Sequence, residues 1–210
     1  MVLMLGCAAL CLFVCLPLYL HYKPVKLSLA VCYKSLGTLC ALVPALVAAL
    51  RLDNMYWFFV AAIFIHAVAD WLLEYWFGVG LGCFFLGHLC YITVFLKLFP
   101  VTLNHLIFLL ILLLTFGFLL KKYWKIVEKN RTLFVVYAVT LSVMTACGLG
   151  GISSYSVKGM MIGVGASLFC FSDSLIFLRL VSSPGSTRKD LLILFTYYAA
   201  QLLLGGSCLF

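Results

Sequence analysis

Residues 106–120 read Leu-Ile-Phe-Leu-Leu-Ile-Leu-Leu-Leu-Thr-Phe-Gly-Phe-Leu-Leu. The run carries no charge and does not alternate between polar and apolar residues. A strand of a membrane barrel would alternate over about ten residues. A helix of about 20 mostly apolar residues crosses the hydrocarbon core and satisfies its own backbone. Working outward, charge, Pro and Gly divide the chain into eight such runs, at about 3–21, 27–50, 56–77, 78–98, 101–120, 132–151, 158–180 and 190–209. Between the third and fourth, Gly78, Gly80 and Gly82 are expected to form a tight turn. The first run lacks the charged start and cleavage site of a signal peptide, so it reads as a span. The reading is an all-α polytopic membrane bundle, with residues 1–210 forming one membrane-embedded domain.

Composition agrees. Of 210 residues, 66% are apolar and 10% charged, where a soluble domain carries about a quarter charged residues. The net charge of +8 lies mainly in short connections, which suits orientation and anionic head groups. No basic surface interleaved with aromatics suggests nucleic acid. The odd connections hold Lys23, Lys26, Lys121, Lys122, Lys125, Lys129, Arg131, Arg179, Arg188 and Lys189. The even ones hold Arg51, Lys97 and Lys158. By the positive-inside rule the odd connections face the cytosol and both termini face away. The expected location is the endoplasmic reticulum or plasma membrane. The sequon Asn130-Arg131-Thr132 should then stay unglycosylated. A gel shift on glycosidase treatment would reverse the orientation.

The 10 cysteines all lie in apolar runs and form no C-x-x-C. The histidines form no H-E-x-x-H. Helix-packing thiols are expected, with no metal and no cofactor.

Ionisable groups inside a span cost several kcal/mol and usually face a bundle interior or water. They are Lys34 in span 2, His66, Asp70 and Glu74 in span 3, His88 in span 4 and Asp173 in span 7. Tyr91, Tyr197, Tyr198 and Gln201 add polar ends. At about 1.5 Å per residue, Lys34, Asp70, His88, Asp173, Tyr197 and Gln201 lie roughly 10–16 Å below the face with the odd connections. Their i, i+3 and i, i+4 spacings let each polar stripe face inward. Ser167, Ser172, Ser174 and Tyr197 read as interhelical glue, His66 as packing and Glu74 as interfacial. Lys34 either snorkels or serves the site. Asp70 and Asp173 are too short to snorkel and read as site residues.

Four stretches carry a resemblance: Ala69-Asp70-Trp71-Leu72-Leu73; Gly87-His88-Leu89-Cys90-Tyr91 with Phe95; Gly165-Ala166-Ser167-Leu168-Phe169 running into Ser172-Asp173; and Thr196-Tyr197-Tyr198-Ala199-Ala200-Gln201. In order and spacing the chain resembles the lysoplasmalogenase (YhhN-type) family of multi-pass membrane proteins. That resemblance implies hydrolysis of the vinyl ether bond of lysoplasmalogen. The products would be a fatty aldehyde and glycerophosphoethanolamine or glycerophosphocholine.

Such cleavage protonates the β-carbon of the vinyl ether, and water attacks the resulting oxocarbenium ion. One carboxylic acid and one carboxylate in unlike surroundings supply both needs. Asp70 and Asp173 are the expected catalytic pair, in either order. Lys34 would pair with one of them or bind the substrate phosphate. His88, Tyr91, Tyr198 and Gln201 would orient water and the lipid backbone. The expected partners are a lysophospholipid substrate and membrane lipids. The rival reading is a non-enzymatic carrier or channel with an intramembrane proton or ion site. No G-x-S-x-G supports a serine esterase, because Gly165-Ala166-Ser167-Leu168-Phe169 fails at its last position.

Overall fold

A computed structural model of the chain describes residues 2–182 and 187–210. Among these residues, eight helices are long and apolar enough to cross a membrane. They are α1 (Val2–Tyr22), α2 (Leu27–Arg51), α3 (Asn54–Tyr75), α4 (Phe77–Leu98), α5 (Leu103–Lys122), α6 (Glu128–Ser154), α7 (Val157–Val181) and α8 (Thr187–Leu209). No strand occurs among the described residues. The expected spans agree with these limits to within a few residues.

Two helices are interrupted near a proline. In α2 the regular α-helix stops at Cys40 and resumes at Leu42. Pro44 lacks the N–H that Cys40's carbonyl would accept, so the ladder breaks there. In α1 the π-turn Cys11–Cys15 lies just before Pro17. An added residue in the turn is one way a helix accommodates a proline ring.

The turn between α3 and α4 differs from the expectation. It is made at Trp76, with φ −137° and ψ 79°, and Gly78, Gly80 and Gly82 already belong to α4. Gly80 has a different task. A Cβ there would lie 2.5 Å from the backbone nitrogen of Leu73. Its absence lets α4 start hard against the end of α3.

Sequential helices pack side by side except α4 and α5, and α4 packs instead against α6 while α8 crosses α2 and α3. Over an apolar 18-residue stretch of each helix, 67% is buried in α6 and α8, against 11% in α5. The helices α2, α3, α4, α6, α7 and α8 therefore enclose the interior, and α5 lies on the outside against α6. Leu110, Leu114 and Phe118 of α5 are exposed, as expected where lipid is the solvent. The interior is aromatic: Phe59, Tyr91, Phe95, Phe169 and Tyr198 are fully buried. The cysteines are free, and Cys11, Cys15, Cys40 and Cys208 are buried among these packed helices.

Candidate functional site

One hydrogen-bond chain begins at a backbone carbonyl and ends on Asp70. The ring of His66 donates from Nε2 to the Phe84 carbonyl at 3.3 Å. Its Nδ1 must then accept, and Gln201 Nε2 donates to it at 2.9 Å. Gln201 also donates to the Tyr197 hydroxyl at 3.3 Å, and its Oε1 accepts from Tyr91 at 2.8 Å. Tyr197 therefore donates onward to Asp70 Oδ2 at 2.9 Å. Each proton direction follows from the one before it, because a neutral imidazole has one donor and one acceptor. His66 is thus both a packing histidine and the start of this chain.

Asp70 receives more than this chain. Thr38 donates to the same oxygen at 2.5 Å, and Lys34 Nζ lies 3.7 Å from Oδ1. Asp70 is 1% exposed. Donors meet it on every side given by its contacts, as a buried carboxylate requires. Lys34 also pairs with Glu74 at 3.2 Å, whose carboxylate accepts from Tyr19 as well. Glu74 is therefore half-buried and paired rather than free at the interface.

Asp173 lies in different surroundings. Tyr137 of α6 donates to Asp173 Oδ2 at 2.5 Å. His88 Nε2 lies 3.1 Å from that Tyr137 oxygen and 3.6 Å from Asp173 Oδ2. Tyr137 spends its single proton on Asp173, so it accepts from His88. His88 Nδ1 has no partner among the described residues. A bare lone pair there costs less than an unpaired N–H, so the neutral ring protonated at Nε2 fits this position. Among the described residues, no Lys or Arg lies within ion-pair distance of Asp173.

The two aspartates line one cavity of about 280 Å³, together with Lys34, Glu74, Arg179, Asp190 and Tyr197. Glu74, Arg179 and Asp190 occupy terminal turns of α3, α7 and α8. The cavity thus reaches the end of the bundle that bears the odd connections. There Asp190 pairs with Lys23 at 2.7 Å and with Arg179. A second, apolar cavity shares Leu73, Phe77, Phe84, Asp173 and Ile176 with the first. Asp173 stands where the polar and apolar spaces meet.

Of the residues singled out from sequence, Asp70, Asp173, Lys34, Glu74 and Tyr197 line the polar cavity. His88 is one hydroxyl removed, behind Tyr137. Tyr91 and Gln201 are buried in the chain that supports Asp70 and do not line the cavity. Tyr198 donates to the Lys34 carbonyl at 2.9 Å, and Gly37 makes room for its ring. A Cβ at Gly37 would lie 2.3 Å from a Tyr198 ring carbon. Ser172 bonds the Ile193 carbonyl across α7 and α8, an interhelical contact. Ser167 and Ser174 bond carbonyls of their own helix, so they tie no helices together. Thr38, Tyr137, Arg179 and Asp190 were not anticipated as site residues. No three of His, Cys, Asp and Glu are grouped to hold a metal ion among the described residues.

The model of the YhhN family matches residues 29–208. No curated protein and no solved structure matches the chain. The matched stretch takes in α3 to α7 entire and nearly all of α2 and α8, and therefore every residue of the aspartate cavity except Tyr19. The chain belongs to the YhhN family, the family of lysoplasmalogenases.

Proposed function

We propose that this protein hydrolyses the vinyl ether bond of a lysoplasmalogen, releasing a fatty aldehyde and a glycerophosphoethanolamine or glycerophosphocholine. The observation that carries the reading is the pair of aspartates in one cavity with unlike neighbours. Asp70 has two hydroxyl donors and a lysine. Asp173 has one hydroxyl donor and borders the apolar space.

These surroundings divide the labour. Asp173 is the acid. Tyr137 occupies its Oδ2, which leaves Oδ1 to carry a proton toward the vinyl ether. That proton goes to the β-carbon, and the electron pair of the double bond forms the new C–H bond. The ether oxygen shares the resulting positive charge, and Asp70 stabilises this cation electrostatically. Water attacks the adjacent carbon while Asp70 takes its proton, giving a hemiacetal. As the hemiacetal collapses, its hydroxyl proton returns to Asp173, and the glycerol oxygen leaves with the proton from Asp70. Both carboxyl groups end as they began.

The cavity chemistry also suits the substrate. A lysolipid has a zwitterionic or anionic head and one chain. Arg179 and Lys34 offer cations for its phosphate, Glu74 and Asp190 offer carboxylates for an ammonium group, and the apolar space beside Asp173 accepts the chain. Tyr91, Tyr198 and Gln201 act by positioning Tyr197, Lys34 and Asp70. We place the odd connections on the cytosolic side of the membrane, so the lipid would be taken from that leaflet.

The test is an assay of purified protein in D2O with alkenyl, acyl and alkyl lysolipids. Aldehyde is expected from the alkenyl lipid alone, with one deuterium on the carbon next to the carbonyl. Release of fatty acid from the acyl lipid would point to an esterase instead. Aldehyde without deuterium would remove carbon protonation from the mechanism. Absence of turnover with all three lipids would favour the carrier or channel reading.

A further inference from the structure

The apolar cavity adjoins a further space at the wall of the bundle. It shares Phe116, Leu120 and Ala138 with a third cavity, a groove between α5 and α6 whose wall includes Leu113, Gly117 and Trp124. The three spaces therefore adjoin one another in order: polar cavity, apolar middle and lateral groove, with Asp173 at the first junction. The groove holds about 450 Å³ and the middle about 50 Å³. Gly117 and Leu113 are exposed, so the far end of this path is the lipid-facing side of the bundle.

The way α5 is fixed fits such an opening. Its start is fastened. Thr102 and His105 form a reciprocal cap, His105 fills the space over Gly150 of α6, and Asn104 bonds Ser153 at 2.9 Å. Its other half, from Leu113 to Lys122, has no side-chain hydrogen bond to another helix among the described residues, and Thr115 bonds the Ile111 carbonyl of its own helix. The fastened end lies away from the catalytic cavity, and the end toward it is held by apolar contact alone.

We infer that the groove between α5 and α6 is the binding site for the hydrocarbon chain of a lysolipid, which reaches sideways from Asp173 into the bilayer. The inference rests on the reading of the aspartate cavity as a lysolipid site. A chain that leaves through the wall of the bundle needs no closed pocket of matching length. The constriction beside Phe116, Leu120 and Phe134 is where a passing chain must displace side chains. The head group stays in the polar cavity, and the reacting carbons lie beside Asp173 between the two.

Gly117 gives the test. A Cβ placed there meets nothing within 4 Å, so Gly117→Trp can fill the groove without pushing on the fold. Gly6 of α1 is likewise exposed with nothing within 4 Å, and Gly6→Trp controls for an added surface indole. Binding is measured with long-chain and short-chain alkyl lysolipids, which carry no cleavable bond, and turnover with the matching alkenyl lipids. In Gly117→Trp the ratio of long-chain to short-chain affinity is expected to fall about tenfold, equivalent to a few methylenes losing their contacts. Gly6→Trp should keep the wild-type ratio. An unchanged ratio in Gly117→Trp, or equal weakening for both chain lengths, overturns the inference. Wild-type protein that binds the alkyl lipids yet releases no aldehyde removes the hydrolase reading while the binding arm still decides the chain site. Wild-type protein that binds neither alkyl lipid overturns both.

Discussion

Asp173→Asn is expected to slow aldehyde release from lysoplasmalogen by about 10²–10⁴-fold, the range for loss of a general acid or base. The substitution is nearly isosteric. Its amide oxygen can still accept from Tyr137, so the contact between α6 and α7 survives. What disappears is the proton that the proposed mechanism delivers to the β-carbon from the junction of polar and apolar space. Substrate affinity should change little, because the head group and chain are held by other residues. The loss should therefore fall on kcat rather than KM. Tyr137→Phe is a useful companion. It keeps the carboxyl but removes its donor and leaves His88 facing a ring edge, so a smaller loss is expected. Aldehyde release near the wild-type rate in Asp173→Asn, with normal elution on a sizing column, would take Asp173 out of the chemistry.

The eight spans were legible because apolar length is read directly from composition. Asp70 and Asp173 were legible for a related reason: a short carboxylate in an apolar run has no route to water. Thr38 and Tyr137 were not. Hydroxyl side chains in a span commonly bond a carbonyl of their own helix, as Thr140, Ser142, Ser167 and Ser174 do here. Nothing in the sequence separates these from Thr38, which faces the Lys34 carbonyl of its own helix and also reaches across to Asp70. Tyr197 read as glue between helices, and it does join α8 to α3, but it does so through a catalytic candidate. The turn at Trp76 was missed because glycine serves both turns and close packing. Gly80 is needed for the second, and the spacing of Gly78, Gly80 and Gly82 cannot tell the two apart. Tyr91 and Gln201 were expected to touch substrate. Their positions one layer behind the cavity depend on side-chain direction, which helical spacing alone leaves open.

Lys34→Met is the change expected to cost the most stability, about 3–5 kcal/mol, as when one partner of a buried ion pair is removed. Lys34 faces two carboxylates, Asp70 at 3.7 Å and Glu74 at 3.2 Å. It is itself 7% exposed, so water can replace it only through the polar cavity. Methionine keeps the length of the stem and leaves both carboxylates without their nearest cation. Adding Asp70→Asn to Lys34→Met should restore part of the stability, since the amide can still accept from Thr38 and Tyr197 without carrying charge. The recovery is a coupling energy of the kind a double-mutant cycle isolates. Activity should not return, because the proposed base for the attacking water is gone. The measurement is unfolding in detergent micelles for the four proteins of the cycle, alongside aldehyde release. Strict additivity would show that Lys34 and Asp70 are separately solvated in the cavity. In that case the cation is free to bind the substrate phosphate and has no part in holding Asp70 charged. Strong coupling with inactive single variants would instead tie the lysine to the carboxylate, and leave Arg179 as the cation for the head group.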